Sequence, residues 1–140
     1  MKIGIDFHGV IDVYPKFFQS LTTQMIEAGH EIHILTGQSR SELEDDIHKF
    51  GVEFTHFYSI VDYHMDFGTD MERVDGRWTL DTDVWDKSKA AYANHVSLDL
   101  HFDDSYRYLE EFPSSCTSIL VRKGFESHMR NLIGTIAIAR

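Results

Sequence analysis

The stretch from Lys2 to Asp12 reads K-I-G-I-D-F-H-G-V-I-D, and it constrains the chain more than any other segment. Ile3, Ile5 and Phe7, with Gly4 among them, make a short apolar run that predicts a strand buried on both faces. Gly9 supplies the tight exit such a strand needs. Asp6 then falls where a buried strand ends. A carboxylate there is costly unless something pairs with it. In parallel α/β sheets ligands bind at the carboxyl ends of the strands, so a metal or phosphate site is the natural compensation.

The pattern continues in alternation. Pro15 opens a helix whose apolar positions Phe17, Phe18, Leu21, Met25 and Ile26 recur at helical spacing up to Gly29. Glu31 to Gly37 reads as a second strand ending in Thr36-Gly37, which is either a turn or a ligand-binding strand end. Ser39 with Glu42 predicts a capping box for a helix buried through Leu43, Ile47 and Phe50. Val52 to Val61 reads as a third strand. From Asp62 to Asp86 no helical period is visible, but Asp75-Gly76 signals a hairpin, so residues 62–86 read as a small edge insertion. Arg73, Arg77, Trp78 and Trp85 lie there, either as substrate contacts or, for the two tryptophans, as an apolar cluster shielded by the hairpin itself. Asp86 is expected to cap a helix from Lys87 to about Asn94, and Val96 to Phe102 to form a fourth strand. A short helix from Tyr106 to Phe112, an outer strand from Ser118 to Val121 and a loosely patterned terminal helix follow. The apolar end Ile136-Ala137-Ile138-Ala139 packs on the domain or on another subunit.

With 140 residues, 42% of them hydrophobic, the chain suits one domain with a real core. A net charge of -10 argues against nucleic acid or an anionic membrane as partner, and points to a small molecule. Cys116 is the only cysteine, and without a leader or a long apolar span the expected location is cytoplasmic. The histidines show no tight ligand spacing apart from pairs such as His30 and His33 in a strand-like stretch, which are expected at exposed or edge positions rather than as ligands. Asp103-Asp104 directly after an apolar strand is hard to explain as packing, because like charges so close repel unless a cation joins them. Hard oxygen donors at strand ends favour Mg²⁺ over zinc.

Taken in order, Asp6-Phe7-His8-Gly9-Val10, Thr36, a lysine at the head of a later helix and Asp103-Asp104 resemble the motifs of the haloacid dehalogenase-like (HAD) phosphatases over most of residues 1–122. The resemblance implies an α/β, Rossmann-like three-layer sandwich with a mainly parallel five-stranded sheet and a small β-hairpin insertion acting as a flap or minimal cap. It implies that Asp6 is the nucleophile of a Mg²⁺-dependent phosphatase acting on a small phosphorylated substrate, metabolite or nucleotide. Thr36, Gly37 and a lysine would hold the phosphoryl group, and Lys89 fits the family position better than Lys87. Asp6, Asp104 and the backbone carbonyl of His8 would hold the metal, with Asp103 supporting them. One position departs from the family: His8 stands where the family carries its general acid and base aspartate, which predicts slower turnover. Asp12 is either solvated or paired with His8. A relative that binds a phosphorylated ligand or a protein without turnover, and a phosphatase for nucleic-acid ends, are the alternatives. The sequence leaves substrate identity and oligomeric state open.

Overall fold

The computed structural model describes residues 1–139, with side-chain surroundings through residue 135. The chain runs β1 (Lys2–Ile5), a wide turn over Phe7–Ile11, α1 (Pro15–Glu27), β2 (Glu31–Thr36), α2 (Arg40–Lys49), β3 (His56–Ser59) and α3 (Ile60–Phe67). It continues through β4 (Glu72–Val74), β5 (Arg77–Thr79), α4 (Thr82–Val96), β6 (Leu100–Asp103), α5 (Tyr106–Leu109), β7 (Thr117–Leu120) and α6 (Phe125–Ala139). Where the side chains of Ile136 to Ala139 pack lies outside the described residues. Among the described residues no helix is long and apolar enough to cross a membrane.

Five strands form one sheet in the order β3-β2-β1-β6-β7, all pairs parallel, and β4 with β5 makes a separate antiparallel hairpin. Strand alternation divides the core between the two faces. Ile3, Ile5, Ile32, Ile34 and Phe102 pack with Phe17 and Phe18 of α1, Leu43 and Ile47 of α2 and Phe125 of α6. Leu35 and Tyr58 pack on the other face with Ile60 of α3 and Ala93 of α4. The chain leaves β1 for β2 and β3 on one side and later returns to β6 on the other. The carboxyl ends of β1 and β6 therefore flank the topological switch point, where sheets of this kind open a crevice.

Gly4 has a packing reason beyond the strand. A Cβ there would lie 2.5 Å from His101 Nδ1 and 2.8 Å from Leu98 Cδ1. His101 is fully enclosed and its Nε2 is bonded to Asp103 Oδ2 at 3.0 Å, so the ring cannot step aside. Gly4→Ala is therefore expected to destabilise the fold by about 1–3 kcal/mol, measured as a lower denaturant midpoint.

Several local expectations are corrected. The third strand stops at Ser59, and the β-branched pair Ile60-Val61 begins α3, because Ser59 Oγ caps that helix by accepting from Asp62 N at 3.0 Å. Tyr63, Met65 and Phe67 are exposed on α3 opposite buried Ile60, Val61 and His64, so apolar residues all round the helix erase its period. The segment 62–86 is thus part helix, part hairpin and the start of α4. Asp81, not Asp86, caps α4, its Oδ1 accepting from Asp83 N and Val84 N, while Asp86 sits inside the helix and pairs with Arg107 at 2.8 Å. No capping box forms at Ser39: Asp62 Oδ2 accepts from Arg40 N at 2.8 Å instead, a cap supplied from α3. The fourth strand begins at Leu100, since α4 runs on to Val96, and the helix expected to reach Phe112 ends at Leu109. The hairpin shields no apolar cluster of its own: every β4 residue is exposed, and Trp85 belongs to α4.

Candidate active site

β1 delivers Asp6 to the sheet rim, where the chain makes one wide turn closed by Asp12 N donating to the Phe7 carbonyl at 3.3 Å. Gly9 holds that turn with φ of 78°, and a Cβ there would meet Asp104 Oδ2 at 2.0 Å, so the turn packs directly beneath the Asp104 carboxylate. β6 brings Asp103 and Asp104 to the same rim, and β2 brings Thr36. From the covering layer, α4 inserts Lys89, whose side chain is 2% exposed.

Lys89 Nζ lies 3.1 Å from Asp6 Oδ1 and 2.9 Å from Asp103 Oδ2. Of the two lysines, Lys89 is the one that reaches these carboxylates: Lys87 lies on the exposed side of α4, paired with Asp83 at 3.0 Å. Both oxygens of Asp103 are engaged, Oδ2 by Lys89 and His101 and Oδ1 by Ser105 N. Asp6 is held only from one side. Oδ1 accepts from both Phe7 N at 2.8 Å and Lys89, and neither contact uses Oδ2. Asp104 is exposed, with one oxygen within 4.8 Å of an oxygen from each of Asp6 and Asp103.

Charge is unbalanced here. Three carboxylates face one ammonium. Burial is the largest influence on Asp6 and pushes its carboxyl up to about 7, opposed by Lys89 and reinforced by Asp103 and Asp104. For Asp103, burial is outweighed by Lys89 and His101, which hold it below the usual carboxylate range. Burial likewise works against the Lys89 ammonium, but Asp6 and Asp103 raise it above the usual lysine range. The lysine therefore stays charged and Asp103 ionised, while Asp6 is the carboxyl that burial and its acidic neighbours make hardest to ionise.

Thr36 and Gly37 face the same cleft, which encloses about 1050 Å³ between the sheet rim and the hairpin. Thr36 Oγ1 accepts from Gln38 N at 3.3 Å, so the residue is both a turn former and a hydroxyl with its hydrogen left to donate. His8 also borders the cleft. Its Nδ1 is 3.5 Å from Asp12 Oδ2, and its Nε2 meets Gln38 Oε1. Asp12 is accordingly not a solvated bystander: its other oxygen accepts from Gly9 N at 2.7 Å and ties the His8 frame to the turn. Gln38 gave no sequence signal, because an amide two residues beyond a strand end is indistinguishable from any loop polar residue.

The cleft wall was equally hidden. Lys89 Nζ sits 4.7 Å from the centre of the Tyr108 ring, and Tyr108 OH accepts from Trp85 Nε1 at 3.0 Å. Arg77 and Trp78 of the hairpin also line the cleft, and Arg73 stays outside, its guanidinium 5.4 Å from the Trp78 ring. Arg40 stacks over Phe54 and Phe57 and pairs with Glu44, away from the cleft. No family model matches the chain, and no curated protein matches it significantly.

Proposed function

We propose that the protein is a Mg²⁺-dependent phosphatase of small phosphomonoesters, related to the HAD phosphatases, with Asp6 as nucleophile. The observation that carries this reading is the asymmetry of Asp6: Oδ1 is clamped by Phe7 N and Lys89, while Oδ2 is left for the cleft. A carboxylate so oriented, beside a buried ammonium and a hydroxyl donor, suits attack on a tetrahedral phosphorus.

The donor set fits a hard divalent cation, because Asp6, Asp103 and Asp104 offer only oxygen and carry more negative charge than Lys89 cancels. Asp6, Asp104 and the His8 carbonyl would hold Mg²⁺, with Asp103 kept in a supporting role by Lys89 and His101. When bound, the ion supplies positive charge against the phosphoryl oxygens.

Asp6 Oδ2 forms a bond to phosphorus as the ester oxygen leaves, giving an aspartyl-phosphate. The leaving oxygen takes a proton from His8. The Thr36 hydroxyl, the Gly37 N–H and Lys89 grip the equatorial oxygens through the transfer. Water then attacks phosphorus, giving its proton back to His8, and the Asp6 carboxylate departs. Because Asp12 and Gln38 place oxygen acceptors at both ring nitrogens, His8 is oriented for this exchange.

The test is hydrolysis of an aryl phosphate by purified protein with Mg²⁺ and with chelator. Turnover is expected only with the metal. His8→Ala is expected to lower kcat by about 10²-fold or more for an ester with a poor leaving group, and much less for an activated aryl ester. No hydrolysis of any ester in a broad panel would favour binding without turnover.

A further inference from the structure

We propose that Glu31, His33 and His56 form a second metal site, at the opposite end of the sheet from the cleft, that takes a late first-row divalent cation, zinc foremost.

Strand geometry brings the three together. Glu31 and His33 are two apart on β2 and so share a face, and His33 is the direct lateral partner of His56 on β3. One ligand atom from each lies within 4.8 Å of the other two. Glu31 Oε2 is 3.9 Å from His33 Nε2, and Glu31 Oε1 is 3.6 Å from His56 Nε2. Tetrahedral zinc with bonds of about 2.0–2.1 Å needs ligand atoms about 3.3 Å apart, so closure from separations within 4.8 Å asks for a contraction of at most about 1.5 Å per pair.

An independent observation points to a ligand. His33 was expected at an exposed or edge position, yet its side chain is 2% exposed. Its Nε2 is completely enclosed and has no hydrogen-bond partner, which native proteins rarely allow. The other nitrogen of each ring is already engaged. His33 Nδ1 meets Tyr92 OH at 2.7 Å, and His56 Nδ1 meets Thr55 Oγ1 at 2.9 Å. Thr55 gives its one hydroxyl hydrogen to the Ile32 carbonyl at 3.0 Å, so it accepts from His56 Nδ1–H and leaves the Nε2 lone pair facing Glu31. An outer hydrogen bond of this kind fixes at His56 the tautomer in which imidazole binds metal, and Tyr92 OH is placed to accept from His33 Nδ1–H to the same effect.

Two adjustments accompany binding. The rings stack with centroids 4.2 Å apart and planes 5° from parallel, whereas a metal lies near the plane of each ring it binds. Half-exposed His56 is the ring that turns, since burial and Tyr92 hold His33. Lys2 Nζ, 3.8 Å from Glu31 Oε2, yields its place and keeps its bond to the Val96 carbonyl at 2.9 Å. Two imidazoles and one carboxylate are borderline to hard donors, which select zinc-like ions over Mg²⁺, and the partial exposure of Glu31 and His56 leaves the remaining positions to water.

The test uses full-length, metal-stripped protein in an Asp104→Asn background, which removes the exposed carboxylate of the cleft. Co²⁺ is titrated as a spectroscopic probe. One equivalent is expected to bind with visible d–d bands of nitrogen-containing coordination, and Zn²⁺ to displace it. His56→Ala and Glu31→Gln, both at partly exposed positions, are expected to lose the bands, and Tyr92→Phe to weaken binding about tenfold or more. No Co²⁺ binding in the Asp104→Asn background, or binding that survives His56→Ala and Glu31→Gln unchanged, overturns the proposal.

Discussion

Lys89→Met is expected to lower the stability of the fold by about 3–5 kcal/mol, a large share of the 5–15 kcal/mol typical of a domain. Methionine nearly matches the volume, so packing is not the cause. The cause is charge: the Asp6 and Asp103 carboxylates, both buried, would lose the cation that lies 3.1 and 2.9 Å from them. The sign of the pH dependence follows. Without Lys89, both carboxyls have folded pKa values raised above their unfolded ones, a contribution that is present at low pH and lost as pH rises. The deficit relative to wild type should therefore be greater at pH 8 than at pH 5 in chemical denaturation. Adding Asp103→Asn to Lys89→Met should recover part of it, since one stranded charge is removed. A Lys89→Met protein as stable as wild type at pH 8 would mean that the ammonium is not what compensates these carboxylates. Lys89→Arg should not rescue fully, because an enclosed site shaped for a point charge has no room for a planar guanidinium.

Asp6→Asn should abolish phosphatase turnover, by about 10⁴-fold or more, while leaving the protein folded. The amide is nearly isosteric and keeps an oxygen for Phe7 N and Lys89, but it offers no nucleophile at the Oδ2 position. The far-UV circular dichroism and melting curve should stay close to wild type, which separates this loss from that of Lys89→Met. Retention of even a few per cent of metal-dependent activity in Asp6→Asn would remove Asp6 from the nucleophile's role. Burst kinetics at high enzyme concentration supply a second readout: one equivalent of aryl alcohol released rapidly from wild type, and none from Asp6→Asn.

Asp6, Thr36 and Asp103-Asp104 stood out in the sequence because each sits at a strand end, where a polar residue interrupts an apolar run, whereas Lys89, in the middle of α4, was singled out only through the family resemblance. Other parts were not. α3 was unreadable because Tyr63, Met65 and Phe67 are apolar on its exposed side. His101 and His33 looked like ordinary strand histidines, although one anchors Asp103 and the other is buried against Tyr92. Asp12 and Gln38 matter only through His8, a relation between side chains on two different turns.

By itself, the order of apolar runs and glycines determined an alternating parallel α/β sheet with carboxylates at the strand ends, since backbone periodicity and the cost of burying charge are local properties. Which lysine reaches those carboxylates, which oxygen of Asp6 remains for the cleft, and which histidines are enclosed were decided by the tertiary structure alone. Those outcomes depend on where α4 sets Lys89 against Asp6 and Asp103, and on the register that sets His33 beside His56. Distances between residues far apart in the chain, not spacing along it, fix charge pairing and ligand geometry.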